Sequence, residues 1–212
     1  MKYKLFLATA LFALSTQVNA ANLVLNGSFE EPVVTTQKGW DVYTTGEPNL
    51  GWSTIGAGVE IRRNNVVGSA YLGDQFAELD SHGGTDTNSS IEQALATVMD
   101  QSYLLSFAYS PRINQPESTN GISVFWNGVE IDSVTNSGIG NSDHDWTVFE
   151  YIVTGIGNDI LKFTAIGTDD SLGGSLDAVS VSAVPLPAAA FLFAPALLGF
   201  MGLRRRAKNN LA

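Results

Sequence analysis

The sequence predicts an all-β domain, an antiparallel two-sheet jelly-roll sandwich, and three observations predict it. Between Asn22 and Ala183 no helical period is sustained; short runs rich in β-branched and aromatic residues recur, separated by clusters of Gly, Asn, Asp and Ser. The 212 residues include 21 glycines and no cysteine. Turns are therefore plentiful, and disulfide frameworks, thiolate metal sites and cysteine nucleophiles are excluded. Asn127-Gly128 stands between two of the runs. It is a hairpin signature, because a type I′ turn needs positive φ at both central positions.

In chain order the expected strands are 22–25, 59–62, 75–79, 90–95, 103–110, 122–126, 129–134, 147–153, 160–166 and 176–182. Ten short strands suit two stacked sheets rather than one open sheet. In 147–153 both alternating sets are partly apolar, Val148 and Ile152 against Phe149, Tyr151 and Val153. That strand is expected to be buried on both sides or to lie at an aromatic rim. Tyr109 and Trp126, each inside an apolar run, are expected in the core, and a helical turn over 94–101 is a minor alternative. The sandwich is assigned to residues 21–183.

All 21 carboxylates fall between Glu30 and Asp177, a span with only five cations, Lys38, Arg62, Arg63, Arg112 and Lys162, a balance of −16. So acidic a domain repels phosphate backbones, which excludes nucleic acid as a partner. The other six cations sit at the two chain ends. Residues 1–20 open with Lys2 and Lys4, continue with an apolar run from Leu5 to Leu14 and close on Val18-Asn19-Ala20. This is the layout of a secretory signal peptide, cut by signal peptidase, and the run is too short to span a bilayer. At the far end, no charge occurs over the twenty positions from Val184 to Leu203, and Arg204-Arg205-Arg206 follows. At about 1.5 Å per residue such a helix crosses roughly 30 Å of hydrocarbon. The arginines behind it place the C-terminal stub, 207–212, in the cytoplasm.

The opening Val184-Pro185-Leu186-Pro187-Ala188, the apolar helix and the closing Arg204-Arg205-Arg206 resemble a PEP-CTERM sorting tail over residues 184–206, in its Val-Pro-Leu-Pro-Ala variant. The resemblance implies recognition by exosortase, a membrane-embedded transpeptidase-like enzyme, in Gram-negative bacteria that make exopolysaccharide. It implies cutting near Val184–Pro187. The protein would then be exported through the inner membrane, held there transiently, and passed to the cell surface or outside. The usual glutamate is absent and Phe191 stands where tryptophan is common, which bears on the exosortase subtype.

Two segments of the sandwich carry a second resemblance. Asn22-Leu23-Val24-Leu25-Asn26-Gly27-Ser28-Phe29-Glu30 is similar to the opening of galactose-binding-like jelly rolls, among them several families of carbohydrate-binding modules. Leu176-Asp177-Ala178-Val179-Ser180-Val181 is similar to their last strand. In those modules the first and last strands pair and their acidic residues often hold a structural Ca2+. Carried over, this nominates Glu30, Asp177 and main-chain oxygens near Ser28. Calcium accepts loose sets of oxygen ligands, and a cation clipping both chain ends would offset closure entropy where no disulfide can.

For sugar binding, aromatic rings would stack on the C–H faces of pyranoses while polar side chains take the hydroxyls. Trp40 and Trp52, in Gly-rich loop contexts, are the expected exposed platforms, and Arg112 at a strand end is a candidate clamp or else the partner of a carboxylate. Arg62, Arg63, Asn64 and Asn65 are further polar partners. His82 and His144 lie in loop-like stretches, and no nucleophile elbow, zinc pair or phosphate loop appears. Catalysis is therefore not expected. The sequence reads as an exported matrix or surface protein whose domain binds polysaccharide. The alternatives are a structural or adhesive protein with no sugar site, and a polysaccharide hydrolase.

Overall fold

Strict alternation sorts this chain into two layers. In Val59–Arg63 the apolar Val59 and Ile61 point one way and Glu60 and Arg62 the other, and the same period runs through most of the longer strands. The computed structural model describes residues 21–82 and 88–185, and the sandwich occupies Ala21–Val184. Its strands are β1 (Trp40–Tyr43), β2 (Ser53–Ile55), β3 (Val59–Arg63), β4 (Gln75–Glu78), β5 (Ser90–Ala96), β6 (Ser102–Ser110), β7 (Gly121–Trp126), β8 (Val129–Val134), β9 (Thr147–Thr154), β10 (Asn158–Ile166) and β11 (Ser175–Ala183). A single 3-10 turn covers Glu117–Thr119.

Two antiparallel sheets result, a six-stranded one in the order β1-β3-β4-β11-β6-β9 and a five-stranded one in the order β2-β5-β10-β7-β8. From β4 to β11 the chain changes sheet at every connection except the β7–β8 hairpin, the crossing pattern of a jelly roll. That hairpin turns on Asn127 and Gly128, both at positive φ, as its dipeptide predicts. Between the sheets lie Ile61, Leu79, Leu105, Phe107 and Val181 from one side and Ile91, Leu95, Val124, Leu161 and Phe163 from the other, all essentially inaccessible. Tyr109 and Trp126 join this core, as expected.

Several elements differ from the sequence reading. The short strands β1 and β2 carry no strong pattern of their own and form through pairing with β3 and β5. Residues 22–25 make no ladder strand, yet they close the sandwich. The Leu23 amide donates to the Val181 carbonyl at 2.8 Å, the Val179 amide donates to Gly27, and the Leu25 amide donates to the Gln93 side chain of the opposite sheet. A bulge at Ala178-Val179 permits this: Leu176 points inward before it and Val179 and Val181 after it. β9 is an edge strand buried on one face only, where Phe149 and Tyr151 stack on Phe107, while Val148 and Ile152 are exposed. No helix forms over 94–101. Among the described residues no helix is long and apolar enough to cross a membrane. The leader 1–20 and the apolar stretch from Leu186 onward lie outside the described residues.

Candidate functional site

Over β3, β4 and the start of β11, the outer face of the six-stranded sheet is as buried as its inner face but is lined with charge. Register places Glu60 opposite Glu78, and Glu78 opposite Ser175, which in turn faces Ser110. Arg62 lies one row away, between Trp40 and Phe76. The Arg62 Nε donates to Glu78 Oε2 at 2.8 Å and its Nη2 pairs with Glu60 Oε1. Arg112, just past β6, donates from Nη1 to the same Glu78 oxygen. Glu60 and Glu78 are 0% and 1% exposed, and Arg62 2%. A carboxylate or guanidinium so far from water persists only when paired. Glu78 Oε1 has no hydrogen-bond partner among the described residues. Burial, opposed by Arg112 and Arg62, pushes the Glu78 carboxyl up to about 7.

A loop closes over this row. His144 stands edge-on to Phe76, 4.6 Å between centroids, beside Trp146. Its Nδ1 lies 2.9 Å from the Ser69 carbonyl and its Nε2 lies 3.2 Å from the Ser175 hydroxyl. Burial holds its pKa below the ordinary histidine value, so the ring is neutral near pH 7, with Nδ1–H donating and Nε2 accepting. At the other edge, Trp40 packs against His82 at 4.6 Å, with the Lys38 ammonium 3.6 Å from the indole centroid. His82 Nδ1 lies 2.8 Å from Glu60 Oε2.

Beside this face the chain ends meet the loop 71–75. Asp177, fully buried, accepts the Tyr71 and Leu72 amides on Oδ2 and the Ala178 amide on Oδ1. Glu30 Oε1 accepts the Asp74 and Gln75 amides at 2.9 and 3.0 Å. Gly73, at positive φ, leaves the space this carboxylate fills, since a Cβ there would fall 2.3 Å from Glu30 Oε1. Burial, with the Glu30 charge adding to it, raises the Asp177 carboxyl to about 7 despite its three amide partners. Alongside opens a cleft of about 640 Å³ lined by Glu30, Val33, Val34, Thr35, Arg63, Asn64, Asp74 and Gln75. Gln75 braces it: its amide nitrogen donates to the Phe29 and Pro32 carbonyls and its oxygen accepts from Val34.

The sequence-predicted residues are distributed as follows. Glu30 and Asp177 do converge, through the loop 71–75, and Ser28 is half-buried in the turn before Glu30. Trp40 is half-buried on the outer face. Trp52 is no platform: it is 3% exposed, stacked on Phe29 and edge-on to Phe163, and its indole N–H donates to the Asn26 carbonyl. Its Gly-rich context turns the ring between the sheets rather than out. Arg112 is 8% exposed and committed to Glu78, so of its two expected roles the structure displays the carboxylate partner. Val184 prolongs the ladder, its amide donating to Ser102 and its carbonyl accepting from Gln101. Leu186, Pro187, Ala188 and Arg204 to Arg206 lie outside the described residues. Sequence reasoning missed Glu60, Glu78, Asp74 and Gln75. The signal for the first two was present, charged residues alternating with core residues inside strands, but their pairing depends on register. Among the described residues no group of three or more acidic or histidine side chains is arranged to hold a metal.

No protein-family model matches this chain, and no curated protein sequence matches it. Solved structures do resemble it. The K1 cleaved adhesin domain of Lys-gingipain from Porphyromonas gingivalis W83 superposes with a TM-score of 0.51 at 14% identity, over 69% of this chain and 98% of that one. A family 35 carbohydrate-binding module from Clostridium thermocellum scores 0.41 at 18% identity, over 67% and 96%. The CBM22-1 xylan-binding domain of Paenibacillus barcinonensis Xyn10C scores 0.45 at 14% identity, over 79% and 97%. At 14% identity the likeness to the adhesin domain is one of fold alone.

Proposed function

We propose that this is an exported surface or matrix protein whose sandwich binds carbohydrate in the cleft between Glu30 and Arg63. The cleft carries the reading, because it joins the two kinds of surface a sugar needs. Val33, 60% exposed, offers an aliphatic wall backed by the buried Val34, while Glu30 and Asp74 accept and Arg63 and Asn64 donate. Arg63 also braces the strap leading into β1, its amide donating to the Gly39 carbonyl and its guanidinium to the Thr36 carbonyl. A glycan array, followed by titration calorimetry on the best hit, tests this. Arg63→Ala and Asn64→Ala should each weaken binding about tenfold or more, the loss of a charge-assisted or polar contact, with folding intact. Undiminished affinity in both variants refutes the cleft, and release of reducing ends from the bound polysaccharide would favour the hydrolase alternative.

The export and sorting reading stands on the sequence: a leader over 1–20 that signal peptidase would remove, and a tail over 184–206 that exosortase would cut. Cell fractions with and without the processing enzyme should differ in the size and location of the chain. The corner where Glu30 faces Asp177 suits a calcium ion, whose charge would relieve the repulsion between two close carboxylates while main-chain oxygens near Ser28 complete the set. Calcium would then clip the chain's first turn to its last strand. Identical melting curves in calcium and in chelator would remove the ion from this account.

A further inference from the structure

One end of the sandwich is apolar where it should be wet, and it is the end from which the chain leaves. Three turns meet there. The Asp100 amide donates to the Gly155 carbonyl and the Gly155 amide donates to Gln101, both within 2.9 Å. The Val184 amide donates to Ser102, and the Gln101 side chain donates to Val184 at 3.1 Å. The side chains this tip presents are Val98, Met99 and Ile156, exposed by 64%, 68% and 59%, with Ile152 at 65% nearby on β9. Hydrophobic side chains gathered on one tip mark a contact surface, where scattered ones would not. The nearby carboxylates interfere little. Asp159 is buried and engaged by Thr97, Asn127 and the Ile156 amide, while Asp100 is exposed on the tip itself and Glu130 and Glu150 are exposed farther along β8 and β9.

The chain beyond the tip says what lies against it. Val184, bonded to the sandwich, already opens the charge-free run, and after Pro185 and Pro187 a helix can begin at Ala188, four residues on. Fully extended, such a stretch reaches at most about 14 Å. If the run spans a bilayer, as proposed above, the tip is held within that distance of the lipid surface. So short a tether gives a high effective concentration, at which even a small apolar patch engages. We infer that the tip of the sandwich rests on the outer phospholipid surface, with Val98, Met99 and Ile156 in the headgroup layer. The seat orients the domain before processing and holds the segment Val184–Pro187 at the interface, where a membrane enzyme would reach it.

This inference rests on the spanning role of the tail, and one experiment separates the two. The chain has no native cysteine, so single cysteines can be placed in the full-length protein and given an environment-sensitive fluorophore. The sites are Met99→Cys and Ile156→Cys at the tip, Ile139→Cys at the opposite end and Leu197→Cys within the apolar run. The protein is reconstituted in phosphatidylethanolamine–phosphatidylglycerol vesicles with and without lipids spin-labelled near the headgroup or deep in the chain. Labels at 99 and 156 should be quenched by the shallow probe at least about twofold more than the label at 139, as for side chains buried in the interface. The label at 197 should respond to the deep probe. Added Val98→Asp should bring the label at 156 down to the level at 139. Quenching at 197 but not at 99 and 156 overturns the seat and leaves the spanning role standing. No quenching at 197 overturns the spanning role and the seat with it. Shielding at 99 that depends on protein density rather than on spin-labelled lipid overturns the seat in favour of a second copy.

Discussion

Over β3, β4 and the start of β11, the two faces of the six-stranded sheet are equally dry and chemically opposite. Inward, Ile61, Ala77, Leu105 and Leu176 meet only hydrocarbon; outward, Glu60, Arg62, Glu78, Ser175 and Asp177 are no more exposed. The inner face is held by transfer of apolar area from water and tolerates swaps of similar volume. The outer face depends on mutual satisfaction, since each charge is stable only while its partner stays. Burial alone therefore says little about what holds a region together. The outer face, stiffened by ion pairs, adjoins the cleft that residues 30–35, Arg63, Asn64 and the end of the loop 71–75 frame.

Removing the hub of the outer face should give the largest effect. Arg62→Ala leaves Glu60 and Glu78 buried with one guanidinium fewer, and a cost of about 3–5 kcal/mol in urea denaturation is expected. A cost below about 1 kcal/mol would place this face with ordinary solvated surfaces and end the comparison. On the inner face, Leu105→Ala should cost about 3 kcal/mol through lost transfer energy and a cavity, with no dependence on pH between 5 and 8.

The pH response should separate the faces more sharply. The Glu78 carboxyl lies at about 7 when folded and near 4.5 when unfolded. Its contribution is therefore fully present below pH 4.5 and is lost as pH rises toward and through 7. Oε2 receives both arginines, so protonation would take place on the bare Oε1. Glu78→Gln mimics the protonated form, so its Tm should fall less than the parent's between pH 5 and 8. Parallel profiles would contradict a protonated Glu78. The smallest effect is expected at the rim. The His82 side chain is 39% exposed where it meets Glu60, and His82→Ala should cost less than about 1 kcal/mol, as for exposed pairs.

How much was legible in the sequence follows from the range of the forces involved. Strand alternation and the Asn127-Gly128 turn are local, and the strands of the core and their hairpin could be read directly. β1 and β2 could not, because four and three residues acquire strand geometry only from a partner. At the candidate site, Glu30 and Asp177 could be named from flanking motifs. The cleft could not: Asp74 and Gln75 belong to it only because the loop after β3 folds back to cap the Glu30 carboxylate. Trp52 shows the opposite error, a loop context mistaken for exposure.

By itself the chain determined its layers, its acidity and the charge-free run between Val184 and the arginines, since composition and period act residue by residue. Only the tertiary structure decided which charged residues are dry, which carboxylates share a loop, and that Val98, Met99 and Ile156 gather where the chain departs. Those are properties of register and of loop closure between residues 16 to 106 apart in sequence, and no window of neighbouring side chains encodes them.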